Sequence, residues 1–218
     1  MPTARAPFVT YDSTLLDHVA VGAGSALASA SIRTASVLFV TALTAAAAQL
    51  SLPLPFTTVP FTLQPMIVLV GAAALGARLG ATSQALYLLL GLAGFHVFAA
   101  SPILPQGPAR LLGPTAGYLL AYPLAAYATG WLAERGFDRR YVTAVGAMAV
   151  GLSIVFAGGV AWLAWLMPAM AGRPGASGLS TAVATGLAPF ILADLVKLAL
   201  AGAVLPALWM LVGPARRA

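Results

Sequence analysis

Cysteine is absent from the 218 residues, and charged residues are scarce. Without cysteine the chain can form neither a disulfide framework nor a thiolate metal site. Only 7% of the residues carry a charge, whereas soluble globular proteins carry roughly 25%. The chain therefore lacks the polar residues needed to cover a water-facing surface, which excludes an ordinary soluble fold and favours a protein whose solvent is lipid.

Lysine and histidine are almost as rare, and this limits the chemistry. Lys197 is the single lysine and no glycine run precedes it, so a phosphate-binding G-x-x-x-x-G-K-[ST] loop is absent. His18 and His96 form no H-E-x-x-H motif, and no set of nucleophile, base and orienting residue is evident. We expect no enzymatic activity, no metal site and no cofactor. The net charge of +6 comes from scattered arginines, which argues against a nucleic-acid partner.

Apolar residues make up 61% of the sequence, and its mean hydropathy is +0.94. Because a transmembrane helix needs about 20 mostly apolar residues, we predict an all-α membrane protein with six transmembrane helices. The predicted spans are residues 34–50, 62–77, 79–93, 114–133, 141–167 and 181–212. Residues 1–32 are predicted to form a cytoplasmic or interfacial extension without a cleavable signal, residues 33–213 the membrane domain, and residues 214–218 a basic cytoplasmic tail.

The arginines predict the orientation, because positive residues concentrate on the cytoplasmic side of a membrane protein. With a cytoplasmic N-terminus, two arginines (Arg110 and Arg173) fall outside and eight fall inside. The inner ones are Arg5, Arg33, Arg78, Arg135, Arg139, Arg140, Arg216 and Arg217. This bias predicts that both termini are cytoplasmic.

Asp194 and Lys197 lie within an otherwise apolar predicted span. A charge at membrane depth costs at least a few kcal/mol, so such residues face a protein interior and often mark a substrate pathway. Their spacing of three places both side chains on one helix face. A ligand site is the interpretation we favour, and a self-neutralising ion pair that only holds the helix in place is the alternative. Pro189, just upstream, is expected to kink the same span.

An ordered set of motifs resembles the BioY family, the biotin-specific substrate-binding (S) components of energy-coupling factor (ECF) transporters. The motifs, in order, are residues 59–65 (VPFTLQP), Gly76 and Gly80 followed by residues 87–91 (YLLLG), Gly94 with Phe98, residues 113–119 (GPTAGYL), and the Pro189–Lys197 segment. They extend over roughly residues 42–200. The run that follows Phe98 departs from the family's glycine-rich pattern.

The resemblance implies the six-helix S-component fold and high-affinity biotin capture and uptake. It further implies a multi-pass protein of the bacterial cytoplasmic (inner) membrane. It also implies a transmembrane coupling protein and cytoplasmic ATPase subunits as partners, so that ATP is used only by those partners. In S components a small-x3-small pattern on the first helix is associated with docking of the coupling protein, and Ala42 and Ala46 match it. Two alternatives remain: a stand-alone biotin transporter, proton-coupled or facilitative, and an S component for another small vitamin.

The chemistry of biotin suggests how such a site would be divided. Asp194 would accept a ureido N–H and Lys197 would donate to the ureido oxygen, while Arg110 would bind the carboxylate as a bidentate fork. The opposite assignment, with Lys197 on the carboxylate, is the alternative. Ligand pockets are mostly apolar with few polar groups. The remaining predicted wall residues are Gln64, Tyr87, Phe98, Tyr118 and Trp162, each of which is equally consistent with ordinary packing.

Overall fold

A computed structural model describes residues 14–21, 25–101, 104–170 and 178–212. The helices in these residues are α1 (Leu15–Val21), α2 (Ala26–Gln49), α3 (Gln64–Leu75), α4 (Ala77–Leu92), α5 (Ala116–Ala133), α6 (Tyr141–Met170), α7 (Leu179–Gly186) and α8 (Ala188–Val212). Two short strands, β1 (Ser51–Leu52) and β2 (Phe61–Thr62), and two 3₁₀ helices, Gly107–Leu112 and Phe137–Arg139, complete the fold. The predicted tail at residues 214–218, Arg5 and Arg173 lie outside the described residues.

Three helices in the described part of the chain are long and apolar enough to cross a membrane. They are α2, α6 and α8, and the shorter α3 is apolar over its whole length. Each predicted span is largely helical in the structure, so the mostly helical class is confirmed. The count of six spans and the cytoplasmic position of both termini stay predictions.

The first predicted span starts earlier than expected. The predicted span starts at residue 34, just after the predicted extension ends at residue 32, whereas α2 begins at Ala26. Ser25 caps it by accepting a hydrogen bond from the Ala28 N–H at 3.1 Å. Arg33 lies within α2, and its guanidinium pairs with Asp17 of α1 at 2.6 Å.

Gly76 sets the tight connection between α3 and α4. Its φ of +87° favours glycine, and its N–H closes α3 on the Ala72 carbonyl at 2.8 Å. The Glu134 carboxylate then caps α4 by accepting from the Ala77 N–H at 2.8 Å. The predicted spans 62–77 and 79–93 put the connection at Arg78, whereas it lies two residues earlier, at the glycine that can adopt the required backbone conformation.

The last predicted span is two helices, α7 and α8, which are separated at Leu187. Pro189 has no N–H for the carbonyl four residues before it, which belongs to Thr185. That carbonyl accepts from the Thr57 hydroxyl at 2.7 Å instead. The neighbouring Gly186 carbonyl accepts from the Tyr118 hydroxyl, also at 2.7 Å. The interruption expected near the proline is present as a break at Leu187. The two hydrogen bonds at the break connect it to the Thr57 segment and to α5.

The hairpin β1–β2 pairs antiparallel, with Ser51 opposite Thr62 and Leu52 opposite Phe61. Residues 51–60 separate the first two predicted spans, and in the structure Ser51–Leu52 form β1 while residues 53–60 connect the two strands. Thr57 within this connection is the residue that bonds to the end of α7, so the hairpin reaches across to the break before α8. This arrangement covers one end of the helix bundle.

Helix α5 lies at the centre of the bundle and packs against α3, α4 and α6. Close approach depends on glycine at several crossings. At Gly130 an added Cβ would lie 2.4 Å from the main-chain carbon of Gly76 and 2.5 Å from the Ala77 nitrogen. Main-chain atoms cannot move aside as a flexible side chain can, so α5 must carry glycine here.

We predict that Gly130→Ala destabilises the fold by about 1–3 kcal/mol, because the new methyl group overpacks a backbone contact. Gly146→Ala is the matched control, since an added Cβ there meets nothing within 4 Å. Thermal unfolding midpoints of the purified proteins in detergent measure the difference. Equal midpoints for the two variants would contradict the close packing of α5 on the α3–α4 turn.

Candidate ligand-binding site

A cavity with about 610 Å³ of empty space, including its opening, lies among the hairpin, α3, α5, α6 and α8. Five predicted site residues line it: Gln64, Arg110, Tyr118, Asp194 and Lys197. The five residues come from four different parts of the sequence, and the fold brings them together in the wall of one cavity.

Asp194 and Lys197 form one pole of the cavity. The Lys197 ammonium donates to Asp194 Oδ1 and to the main-chain carbonyl of Thr62, both at 2.7 Å. It also lies 3.4 Å from the centroid of the Phe61 ring, a distance at which a cation–π attraction operates. The two side chains are only 12% and 8% exposed. The pair therefore joins α8 to β2 and presents a partly satisfied carboxylate and ammonium to the cavity.

Arg110 and Thr115 contribute further polar atoms to the wall. Arg110 is 1% exposed, and its Nη2 donates to the Ala99 carbonyl. Within the described part of the chain, Arg110 Nη1 and the buried Thr115 hydroxyl have no hydrogen-bond partner, and no carboxylate pairs with Arg110. Burial lowers the pKa of the Arg110 guanidinium, but arginine remains charged in proteins. A buried cation without a counter-ion is costly, so this region is suited to an anionic ligand group.

Gln64 has its position fixed from behind the wall. Its Nε2 donates to the Tyr87 hydroxyl at 2.7 Å, and that hydroxyl donates to the Val97 carbonyl at 3.1 Å. Tyr87 is fully buried, and its ring makes an edge contact with Phe98, with ring centroids 5.6 Å apart. Tyr87 and Phe98 do not line the cavity, contrary to expectation, because both side chains pack behind it.

Trp162 also lies away from the cavity. Its Nε1 donates to the Gly113 carbonyl at 2.9 Å, and its ring packs beside Trp165 with centroids 5.2 Å apart. Both rings border a separate apolar groove between α5 and α6. The structure therefore places Trp162 as a link between α6 and the start of α5 and not in the wall.

Several wall residues were missed by the sequence reasoning. Thr62 contributes a main-chain carbonyl, for which no side-chain pattern gives a signal. Thr115 belongs to the motif at residues 113–119, and the isolated hydroxyl in that glycine-rich segment was a usable signal. Tyr122 and Phe190 also line the wall, but nothing in the sequence distinguishes them from ordinary buried aromatic residues.

The charges of the wall do not cancel. Among the described wall residues, Asp194 is the one acid, whereas Arg110 and Lys197 are both basic, which leaves one net positive charge. A singly anionic ligand would restore neutrality in the buried site. In the described part of the chain no three His, Asp or Glu side chains come together to hold a metal.

The fold is mostly helical, with helices long and apolar enough to cross a membrane, and it encloses a cavity whose described wall carries one net positive charge. The BioY family model matches residues 21–214, and the chain belongs to the BioY family.

Similar proteins agree with this assignment. The "Probable biotin transporter BioY" of Pyrococcus horikoshii is 37% identical over 75% of this chain and 87% of its own length. The "Biotin transporter BioY" of Thermotoga maritima is 36% identical over 75% of this chain and 88% of its own length. A crystal structure of the S-component for biotin from an ECF-type ABC transporter aligns with a TM-score of 0.68 at 25% identity. That alignment covers 81% of this chain and 89% of the other.

We predict that Lys197→Met lowers the stability of the ligand-free protein by up to about 3 kcal/mol, because Asp194 then lies buried without its partner. The double substitution Asp194→Asn with Lys197→Met should recover most of the loss, since no uncompensated charge remains. Thermal unfolding midpoints in detergent test this. A double variant that is less stable than Lys197→Met would show that the ion pair itself holds α8 in place.

Proposed function

We propose that this chain captures biotin and takes it up across the cytoplasmic membrane as the substrate-binding component of an ECF-type transporter. The observation that carries the proposal is one buried cavity whose wall holds the Asp194–Lys197 pair, an arginine without a paired carboxylate and one net positive charge. Biotin has a polar ureido ring at one end and a carboxylate at the other, joined by an apolar chain. The family assignment and the biotin transporters similar to this chain support the same ligand.

Arg110 with Thr115 is the better candidate for the carboxylate. Arg110 Nη1 and the Thr115 hydroxyl lack partners among the described residues, whereas the Lys197 ammonium already contacts Asp194, Thr62 and the Phe61 ring. The ureido ring then falls to Asp194 and Lys197, where a carboxylate oxygen accepts an N–H and the ammonium donates to the ureido oxygen. This is the orientation favoured from the sequence, with Thr115 added to the carboxylate end.

We predict that Arg110→Met weakens biotin binding by about 10- to 100-fold, the range expected for loss of hydrogen bonds to a charged group. Binding of biotinamide, which lacks the carboxylate, should change little in the same variant. Asp194→Asn should weaken both ligands, since the ureido ring is common to them. Isothermal titration of purified protein in detergent measures these affinities.

Arg135→Met is the matched control. Arg135 follows the end of α5, stacks on the Trp131 ring and does not line the cavity. Absence of biotin binding by the unsubstituted protein would refute the proposed ligand. Equal losses of biotin and biotinamide on Arg110→Met would instead reverse the orientation and place Lys197 on the carboxylate.

The partner proposal concerns the outer face of α2. Its apolar stretch is 17% buried, whereas that of α6 is 44% buried, so α2 leaves most of its surface unpartnered within the chain. Ala42 and Ala46 are both exposed on this face, next to the exposed Phe39. Small residues allow helices to approach closely in lipid. We assign this face to a transmembrane coupling protein, which cytoplasmic ATPase subunits would drive.

We predict that the paired substitution Ala42→Trp with Ala46→Trp leaves biotin affinity in detergent unchanged but abolishes uptake of labelled biotin in cells that contain the coupling and ATPase subunits. The bulky rings would separate α2 from a partner helix without reaching the cavity. Ala203→Trp with Ala207→Trp is the matched control, because these alanines have the same spacing and are exposed on α8.

Uptake that survives the α2 substitutions would place the docking surface elsewhere. Uptake in cells that lack the ATPase subunits would show that the chain transports biotin alone, and comparison with and without a proton gradient would then separate the proton-coupled and facilitative routes.

The topology proposal is that α2, α3, α4, α5, α6 and α8 are the six spans, with both termini cytoplasmic. The clustering of arginines on one side supports it. In this orientation the hairpin and the cavity beneath it face outward, on the side from which a vitamin is captured.

A further inference from the structure

A continuous run of hydrogen bonds joins the charged pair on α8 to Gln64 on α3. Lys197 Nζ donates to Asp194 Oδ1 and to the Thr62 carbonyl, both at 2.7 Å. The Thr62 hydroxyl in turn accepts from the Gln64 main-chain N–H at 3.4 Å. The Asp194–Lys197 pair and the main chain of Gln64 are thus both bonded to Thr62 of β2, and all three residues line the cavity.

The Tyr87 hydroxyl determines which end of the Gln64 amide faces the cavity. It lies 3.1 Å from the Val97 carbonyl oxygen and 2.7 Å from the Gln64 amide. A carbonyl oxygen can only accept, and a tyrosine hydroxyl has one hydrogen to give. That hydrogen goes to Val97, so the hydroxyl must accept from the amide NH₂. The amide oxygen, Gln64 Oε1, is then the end left for a ligand.

Water cannot easily loosen this arrangement. Tyr87 is 0% exposed and Gln64 is 3% exposed. The Tyr87 ring is held by its edge contact with Phe98, which is itself 0% exposed. In such surroundings a lost hydrogen bond is not replaced by solvent, so the amide has one strongly preferred orientation.

We propose that Tyr87 is a positioning residue that fixes the Gln64 carbonyl as a second acceptor for the ureido ring, and that this makes the site specific for a ligand with two ureido N–H groups. The proposal rests on biotin being the ligand. Asp194, Lys197 and Gln64 then offer an acceptor, a donor and an acceptor in succession. The ureido ring offers the complement, an N–H, a carbonyl oxygen and a second N–H.

The consequence is selectivity at each nitrogen. A methyl group on one ureido nitrogen removes the N–H that Asp194 accepts, and a methyl group on the other removes the N–H that Gln64 accepts. A site that hydrogen-bonds a ligand group rejects an analogue that lacks it, because its own buried polar atom is left unpaired. Both N-methyl isomers should therefore bind the unsubstituted protein more weakly than biotin.

The test measures biotin and its two N-methyl isomers by titration against Tyr87→Phe, Gln64→Ala and the double variant. Gln64→Ala should weaken biotin by about 10- to 100-fold and lose discrimination against one isomer only, since the other methyl group still faces Asp194. Tyr87→Phe should weaken biotin about tenfold and reduce discrimination against the same isomer, because the released amide can turn its NH₂ to the ligand. The double variant should bind biotin no more weakly than Gln64→Ala, because both changes act through one hydrogen bond.

Tyr127→Phe is the matched control, since Tyr127 is 46% exposed on α5 and lines no part of the cavity. Additive losses in the double variant, or unchanged discrimination against both isomers in the two single variants, would overturn the proposal while biotin binding by the unsubstituted protein stands. Should Tyr87→Phe fail to fold, as judged by its thermal midpoint, the isomer-specific loss in Gln64→Ala still decides whether the amide carbonyl meets a ureido N–H. If the unsubstituted protein does not bind biotin, it is the proposed function that fails.

Discussion

Burial of charge in an apolar interior is the constraint on which this structure depends. A charged group inside a membrane domain is tolerated only where other groups meet it. The Lys197 ammonium has three such partners: the Asp194 carboxylate, the Thr62 carbonyl and the Phe61 ring. Because two of these partners belong to β2, satisfying the charge also fixes the hairpin over the end of the helix bundle. The ion pair is therefore part of both the fold and the cavity wall.

Arg110 shows the opposite solution to the same constraint. Its guanidinium is buried, yet within the described part of the chain one nitrogen has no partner and no carboxylate is paired with it. Such a buried cation lacks a counter-ion, and an anionic ligand group can supply one. The contrast between a partnered ammonium at Lys197 and an unpartnered nitrogen at Arg110 is the basis of the proposed orientation of biotin.

Carbonyl groups freed at the break between α7 and α8 need partners in the interior, as the buried charges do. Pro189 frees the Thr185 carbonyl, and the irregular start of α8 frees the Gly186 carbonyl. Hydroxyls from the hairpin and from α5 then occupy both acceptors. In a low-dielectric interior, each carbonyl released from a helix must find another donor. These two bonds connect the hairpin, α5 and the α7–α8 break around the site.

Several features of the protein were determined by the sequence itself. The scarcity of charge excludes a soluble fold, hydropathy locates the helices, and an acid and a base three residues apart in apolar surroundings identify the pole at Asp194 and Lys197. These are local properties, since composition and helical spacing act over a few turns of chain. The ordered motifs likewise sufficed to identify the BioY family.

What only the tertiary structure decided involves contacts between residues far apart in the chain. Sequence spacing cannot show that Arg33 is neutralised by Asp17, so the start of α2 was misplaced. It also cannot separate a wall residue from one packed behind the wall, which is why Tyr87, Phe98 and Trp162 were grouped with Gln64. The link from Asp194 and Lys197 to Gln64 runs through Thr62. It depends in part on the Thr62 main-chain carbonyl, a group that every residue possesses and that only folding brings into position.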